Sequence, residues 1–226
     1  MTASSQAFGG SAAHTNPYEA SSAVVPQIRP ARMDDIALIL ALHREAFADK
    51  FGGAFGPDRA EQGIAAMMAT WQRQGASALR GMFVAEHEGS IIGTITVRTR
   101  EMLRDDANVA EIAFQEQLGV WRALRSLFAL SLLDHNIEQR EGFITDVAVL
   151  NPYRRSGVAR GMLVRAEQEA LLRGKHFLGL YVSAANRAAI ELYEHSGFHV
   201  VRVRRSMLAW LFFGQGQWIY MRKDLV

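Results

Sequence analysis

The chain has 226 residues, 49% of them apolar, with 25 Lys and Arg against 23 Asp and Glu and no cysteine. That length suffices to bury the core of one domain, while the lack of cysteine excludes disulfides, thiolate metal sites and a cysteine nucleophile. A formal charge of +2 is too mild to imply nucleic acid or a membrane surface as a partner, and no apolar run reaches the roughly 18 to 20 residues that span a bilayer.

Residues 1–25 are rich in Ser, Ala and Gly and bury too little apolar surface to offset their ordering entropy, so a disordered tail is expected ahead of one domain over 26–226. They also lack the charged and apolar regions of a secretion signal, which makes a soluble, cytoplasmic protein the default. From Gln27, "QIRPARMDDIALILALHREAF" predicts a short strand, a cap at Asp34, and a helix whose apolar positions (Ile36, Ile39, Leu40, and His43 to Phe47) share a face. A second helix is predicted over 58–74. "GMFVAEHEGSIIGTITVRTR" reads as a hairpin turning at Glu88-Gly89.

Residues 101–141 break this rhythm. Leu118, Trp121, Leu124, Leu127, Phe128 and Leu132 fall at helical spacing, which predicts a helical insertion with one apolar face. "FITDVAVL", the segment 151–172 and "HFLGLYVSA" then form a strand-helix-strand unit, expected to be parallel and right-handed. Asn186 is placed to cap the next helix and Gly197 to end it. "HVVRVRRSMLAWLFFGQGQWIYMRKDL" supplies two terminal strands around a turn at 214–216.

The junction "NPYRRSGVARG" is the first candidate site. The first amides of a helix have no partner within it, and the helix dipole adds positive potential there, so a strand-to-helix turn favours an anion. Gly157 permits the backbone geometry and a close approach, Val158 and Ala159 keep the packing tight, and Arg154, Arg155 and Arg160 add charge beside Ser156. The turn is neither a Walker loop nor a three-glycine dinucleotide fingerprint. An ordinary glycine turn with solvated arginines is the competing reading of this segment taken alone.

A second segment, "NRAAIELYEHSGF", sets Asn186 and Tyr193 on one side of a helix. Arg154-x-x-Gly157-x-Ala159 after a Val147-Ala148-Val149 strand, followed by Asn186-x-x-Ala189-x-x-Leu192-Tyr193-x-x-x-Gly197-Phe198, resembles the GNAT superfamily of acyl-CoA-dependent N-acyltransferases in both order and spacing. The resemblance covers 143–200 and extends to 27–100 through "IRPARMDDI" and "VAEHEGSIIGTITV".

That resemblance implies an α/β (α+β) domain: a twisted mixed sheet of about seven strands, flanked by helices, whose central parallel strands splay apart. It also implies acetyl-CoA as cosubstrate, without a metal. Backbone groups of Val147 and Val149 would pair with the pantetheine arm, with Ala148 between them in the cofactor-binding strand. Amides from Arg155 to Arg160 would hold the diphosphate, and Asn186 would contact the arm near its thiol. An amine would attack the thioester directly, which calls for a base, an oxyanion donor and an acid. Tyr193 matches the family's acid position, against the alternative of a tyrosine packed on an amphipathic helix. Asp146, on the strand entering the turn, is the candidate base, against a solvated or salt-bridged aspartate, and Glu141 lies at the same strand's start. In one ribosomal branch of the family the base is a glutamate where this chain has Tyr181, so that base does not carry over.

His87, His135, His176, His195 and His199 lack metal-ligand spacing. The aromatic stretches "KFGGAFG", "LGVWRALRSLF" and "MLAWLFFGQGQW" form an apolar rim at the acceptor site, a homodimer contact, or simply more core. Two function classes follow: an N-acetyltransferase acting on a small-molecule or protein amine, and a non-catalytic acyl-CoA-binding sensor.

Overall fold

The computed structural model describes residues 25–55, 60–104, 115–119, 121, 123–124, 126–127 and 135–226. The proposed tail therefore lies outside the described residues, apart from Val25. Strand β1 (Gln27–Pro30) leads through a short 3-10 turn into α1 (Ile36–Ala46), followed by α2 (Ala48–Phe55) and α3 (Ala60–Gln74). The capping carboxylate is Asp35 rather than Asp34: its Oδ2 accepts from the Arg32 amide at 2.7 Å. The hairpin forms as expected, with β2 (Met82–His87) and β3 (Ser90–Arg98) joined where Glu88 and Gly89 take φ of 50° and 76°. Two successive left-handed residues match the twist of the flanking strands.

Of the insertion, residues 115–118, 121, 123, 124, 126 and 127 are helical, while Phe128 and Leu132 lie outside the described residues. The expected single apolar face needs correcting. Leu118 is buried, but Trp121 is 85% exposed and Leu124 48% exposed, because the buried side of this segment is centred on Leu118 and Ala123.

The strand-helix-strand unit is β4 (Glu141–Val149), α4 (Val158–Leu172) and β5 (Phe177–Ser183); then come α5 (Arg187–His195) and β6 (His199–Arg205). Between β6 and β7 (Gln217–Asp224) the segment Met207–Phe213 is a helix, α6, where the sequence reading continued a strand to the turn. Local caps decide it. The Ser206 hydroxyl oxygen accepts from the Ala209 amide at 3.0 Å, and Gly214 ends the helix at φ 67°.

The seven strands form one sheet in the order β1-β2-β3-β4-β5-β7-β6. All neighbours are antiparallel except β4 and β5. Alternation along β2 splits its side chains between the two faces. Phe83 and Ala85 join Met162, Leu163 and Ala166 of α4 and Ile190 of α5, whereas Met82 and Val84 join Ile36, Ile39 and Leu40 of α1. The sheet is thus the middle of three layers. A separate apolar cluster joins Phe55 of α2, Ala66 of α3, Leu118 and Ala123 of the insertion, and Ala209 and Phe213 of α6.

Candidate active site

Between β4 and β5 the sheet opens. Parallel pairing runs only from Glu141 opposite Phe177 to Ile144 opposite Leu180, although β4 continues to Val149 and β5 to Ser183. Two features drive the strands apart. On the β5 side, the whole strand Phe177–Ser183 stays paired with β7 and follows that strand. On the β4 side, Thr96 pairs with Thr145 but Thr94 pairs with Ala148, so β4 carries one extra residue, and Asp146 sits in this bulge at φ 55°. A bulge bends its strand and re-aims its groups. The β5-facing backbone of the second half of β4 is left without a strand partner among the described residues.

The bulge is braced from behind. Thr94 Oγ1 donates to the Asp146 carbonyl at 3.1 Å, and Nε2 of His43 lies 2.9 Å from the same hydroxyl. With its proton committed to Asp146, the threonine oxygen accepts from His43, which calls for the Nε2–H tautomer. Both side chains are buried. Sequence reasoning saw His43 only as part of an apolar helix face and missed this relay, since nothing local marks a bulge at a non-glycine residue.

Below the splay a buried carboxylate ties the start of β4 to β7. Glu141 accepts from the Tyr220 hydroxyl at 2.6 Å, from His135 Nε2 at 2.9 Å, and, through Oε2, from the Glu138 amide at 2.9 Å. Burial alone would raise the Glu141 pKa, but these hydrogen bonds outweigh it and hold the carboxyl below its ordinary value. Glu141 is fully buried, does not line the cleft into which the splay opens, and has its carboxylate engaged by three donors.

The opening leads into a cleft of about 580 Å³. Of the residues singled out from sequence, Asp146, Val147, Arg154, Asn186 and Tyr193 line it. Ala148, Val149 and Val158 turn their side chains into the core, so only their backbone is available. Arg155, Ser156, Gly157, Ala159 and Arg160 form the turn and the first residues of α4, reached from Arg154 at the cleft wall.

In that turn Arg155 and Gly157 both have positive φ, 62° and 87°. The first backbone bond of α4 runs from the Gly161 amide to the Gly157 carbonyl at 3.0 Å, which leaves the amides of Val158, Ala159 and Arg160 ahead of the helical ladder. A Cβ on Gly157 would meet nothing within 4 Å. The glycine is thus required by its φ, and the space in front of it is open. An unladdered helix start with open space ahead of it fits a diphosphate. Arg154 Nε donates to the Val149 carbonyl at 3.0 Å, tying the turn to the end of β4.

Asn186 caps α5, its Oδ1 accepting from the Ala189 amide at 3.2 Å. Two turns on, Tyr193 is buried against Phe198, and burial pushes its pKa up to about 12. Its hydroxyl makes no hydrogen bond among the described residues. A tyrosine this weakly acidic stays protonated at neutral pH and can donate.

The remaining lining comes from outside the two motif segments, in part from the aromatic stretch at 207–218. Glu45 and Phe47 reach the cleft from the end of α1, Tyr181 from β5, and Arg204, Phe213, Gln215 and Trp218 from the β6–β7 region. Tyr181 accepts from Arg202 at 2.9 Å. Among the described residues no group of His, Asp and Glu could hold a metal ion, and no helix is long and apolar enough to cross a membrane.

Comparison with known proteins gives a consistent picture. The model of the acetyltransferase (GNAT) family matches residues 41–198. The uncharacterized N-acetyltransferase YycN of Bacillus subtilis (strain 168) is 42% identical over 60 residues, 26% of this chain and 38% of that protein. The ribosomal protein bS18-alanine N-acetyltransferase of Escherichia coli (strain K12) is 39% identical over 66 residues, 29% of this chain and 45% of its own length. The matched part thus spans less than half of each of these relatives. Among solved structures, the PaiA N-acetyltransferase of Thermoplasma acidophilum in complex with coenzyme A superposes with a TM-score of 0.56 at 14% identity, covering 88% of this chain and 99% of that one, a likeness of fold.

Proposed function

The chain belongs to the acetyltransferase (GNAT) family, and from that premise we propose that it is an acyltransferase that moves an acetyl group from acetyl-CoA to a primary amine by direct attack within a ternary complex. Acetyl-CoA would supply the activated acetyl group as a thioester. The observation that carries the reading is the splay: one cleft joins the open edge of β4, Arg154 at the entry to the Gly157 turn, and Tyr193 of α5.

The chain's own groups divide the work. The β5-facing backbone from Val147 to Val149 is placed to bind an amide-bearing arm, and Asn186 closes that arm's far side. Amides of residues 155–160, with Arg154, Arg155 and Arg160 around them, suit the diphosphate. Tyr193 donates its proton to the leaving thiolate. Asp146 lines the cleft and is the candidate proton acceptor, directly or through a water held by cleft carbonyls.

Thiol release in the presence of pooled amines and peptides tests this. Acceptor-dependent thiol, with an acceptor gaining the mass of one acetyl group, is the expected result. Acetyl-CoA binding with no thiol from any pool would instead mark a sensor.

A further inference from the structure

Helix α6, Met207–Phe213, reads MLAWLFF and has no polar side chain. A helix that is apolar all round belongs in a core, yet α6 buries one side alone. Ala209 and Phe213, one turn apart, are 1% and 6% exposed and join the cluster with α2, α3 and the insertion. Met207, Trp210 and Leu211 form the opposite side at 87%, 63% and 70% exposure, with Leu208 beside them at 48%. The insertion enters the same cluster through Leu118 and Ala123, and it too turns apolar side chains outward, Trp121 and Leu124. At the areas such side chains present when free, these six amount to on the order of 800 Å² of apolar surface. The largest apolar patch on a typical monomer covers roughly 300–600 Å², whereas one partner in a standard interface buries about 800 Å².

A second copy of the chain suits this surface. Because α6 carries no charge, its outer face can meet itself across a two-fold axis without opposing like charges, and homodimer interfaces are the more apolar kind. Extension of the sheet is a poorer route. Strand β6 is the outermost strand, but it has a bulge between Val200 and Arg202 and carries Arg202, Arg204 and Arg205, devices that blunt an edge. A lipid surface also fits less well, since an interfacial helix sets its apolar face against a charged one, and the other side of α6 is core. From that inner side Ala209 and Phe213 line the cleft, so a partner packed on α6 would back the cleft wall.

We infer that the outer face of α6, together with Trp121 and Leu124 of the insertion, is the two-fold interface of a homodimer. The inference stands apart from the acetyl-transfer reading, and its test uses neither acetyl-CoA nor an acceptor. Sedimentation equilibrium is run on the full chain and on Met207→Glu, Leu211→Glu and Leu172→Glu. Leu172 ends α4 and is 79% exposed, which makes it an apolar surface control away from α6. Circular dichroism and denaturation midpoints check that each variant folds, as replacements at exposed positions should. Leu211→Ser, a milder change at the same place, serves if a charge disturbs the fold.

Interfaces of this size bind at micromolar or tighter, so at about 50 μM the wild type should have the mass of two chains. Each glutamate variant should dissociate at least about 100-fold more readily, because two like charges would face each other at the centre of the interface. Leu211→Ser should weaken the dimer about tenfold, and Leu172→Glu should leave it unchanged. A wild type that is monomeric at about 50 μM overturns the inference, and if that monomer co-sediments with vesicles of phosphatidylcholine and phosphatidylglycerol the face belongs to lipid instead. A folded Leu211→Glu protein that stays dimeric, or a Leu172→Glu protein that dissociates as readily, moves the interface off α6 and also overturns it.

Discussion

Tyr193 illustrates how one residue can carry both packing and chemistry. Its ring closes the α5 side of the core and its hydroxyl belongs to the cleft. Tyr193→Phe keeps the ring, so acetyl-CoA affinity should hold while turnover falls about 100-fold or more, the usual weight of a positioned acid. An unchanged rate at saturating substrates would remove the role. The raised pKa of about 12 has a thermodynamic counterpart. Between the ordinary tyrosine value near 10 and about 12 the unfolded chain releases this proton and the native one keeps it, so stability falls as pH rises through that window. The same shift keeps the acid competent at the mildly alkaline pH where amines become neutral.

Glu141 shows the opposite sign. Burial works against its charge, but His135, Tyr220 and the Glu138 amide hold its pKa low. Its contribution is present above the unfolded value near 4.3 and disappears as pH falls through the lower folded value. Glu141→Gln places a carboxamide NH₂ among groups that donate, and should cost about 1–3 kcal/mol at neutral pH. Chemical denaturation as a function of pH should show the gap between wild type and variant narrowing below pH about 4. A gap constant with pH would mean that the carboxylate charge is not what the network holds.

At the level of elements, the splay depends on one bulge and the residues behind it. Thr94→Val is nearly isosteric and removes the hydroxyl linking His43 to the Asp146 carbonyl. Two buried groups then lose a partner, at a cost of about 1–3 kcal/mol, and acetyl-CoA binding should weaken with β4 no longer held in its bend. Equal denaturation midpoints for the two proteins would show the relay to be idle. At the start of α4 the pertinent fact is conformational: at φ 87° any side chain is strained, whatever the space around it. Gly157→Val should therefore weaken acetyl-CoA binding at least tenfold in a protein that still folds, with Gly157→Ala intermediate. A folded valine variant with undiminished affinity would place the diphosphate elsewhere.

How much of this was legible varies by element for physical reasons. The places of Gly157, Asn186 and Tyr193, at a helix start, at a cap and two turns beyond it, were legible because these are local properties, while the roles given to them came from the family resemblance. The parallel β4–β5 pair followed from the short strands flanking α4. The bulge at Asp146 carried no local mark, since it arises from register against β3. The seven-residue run of α6 was ambiguous by periodicity, and the signals that settle it, Ser206 before and Gly214 after, were present but outweighed by the β-rich segments on either side. Trp121 was misassigned because the insertion packs against α2, α3 and α6, partners that no pattern within its own sequence specifies.

For the molecule as a whole, three layers meet at an opening in a seven-stranded sheet whose walls include Arg154, at the entry to the Gly157 turn, and residues of the β6–β7 region. The most direct test is one preparation taken through two steps: calorimetric titration of acetyl-CoA, then thiol release with pooled amines and peptides. Saturable one-to-one binding followed by acceptor-dependent thiol is the predicted result. A folded protein that takes up no acetyl-CoA would contradict the account at its centre, because the splayed strands and the free amides of α4 would then have no ligand to hold.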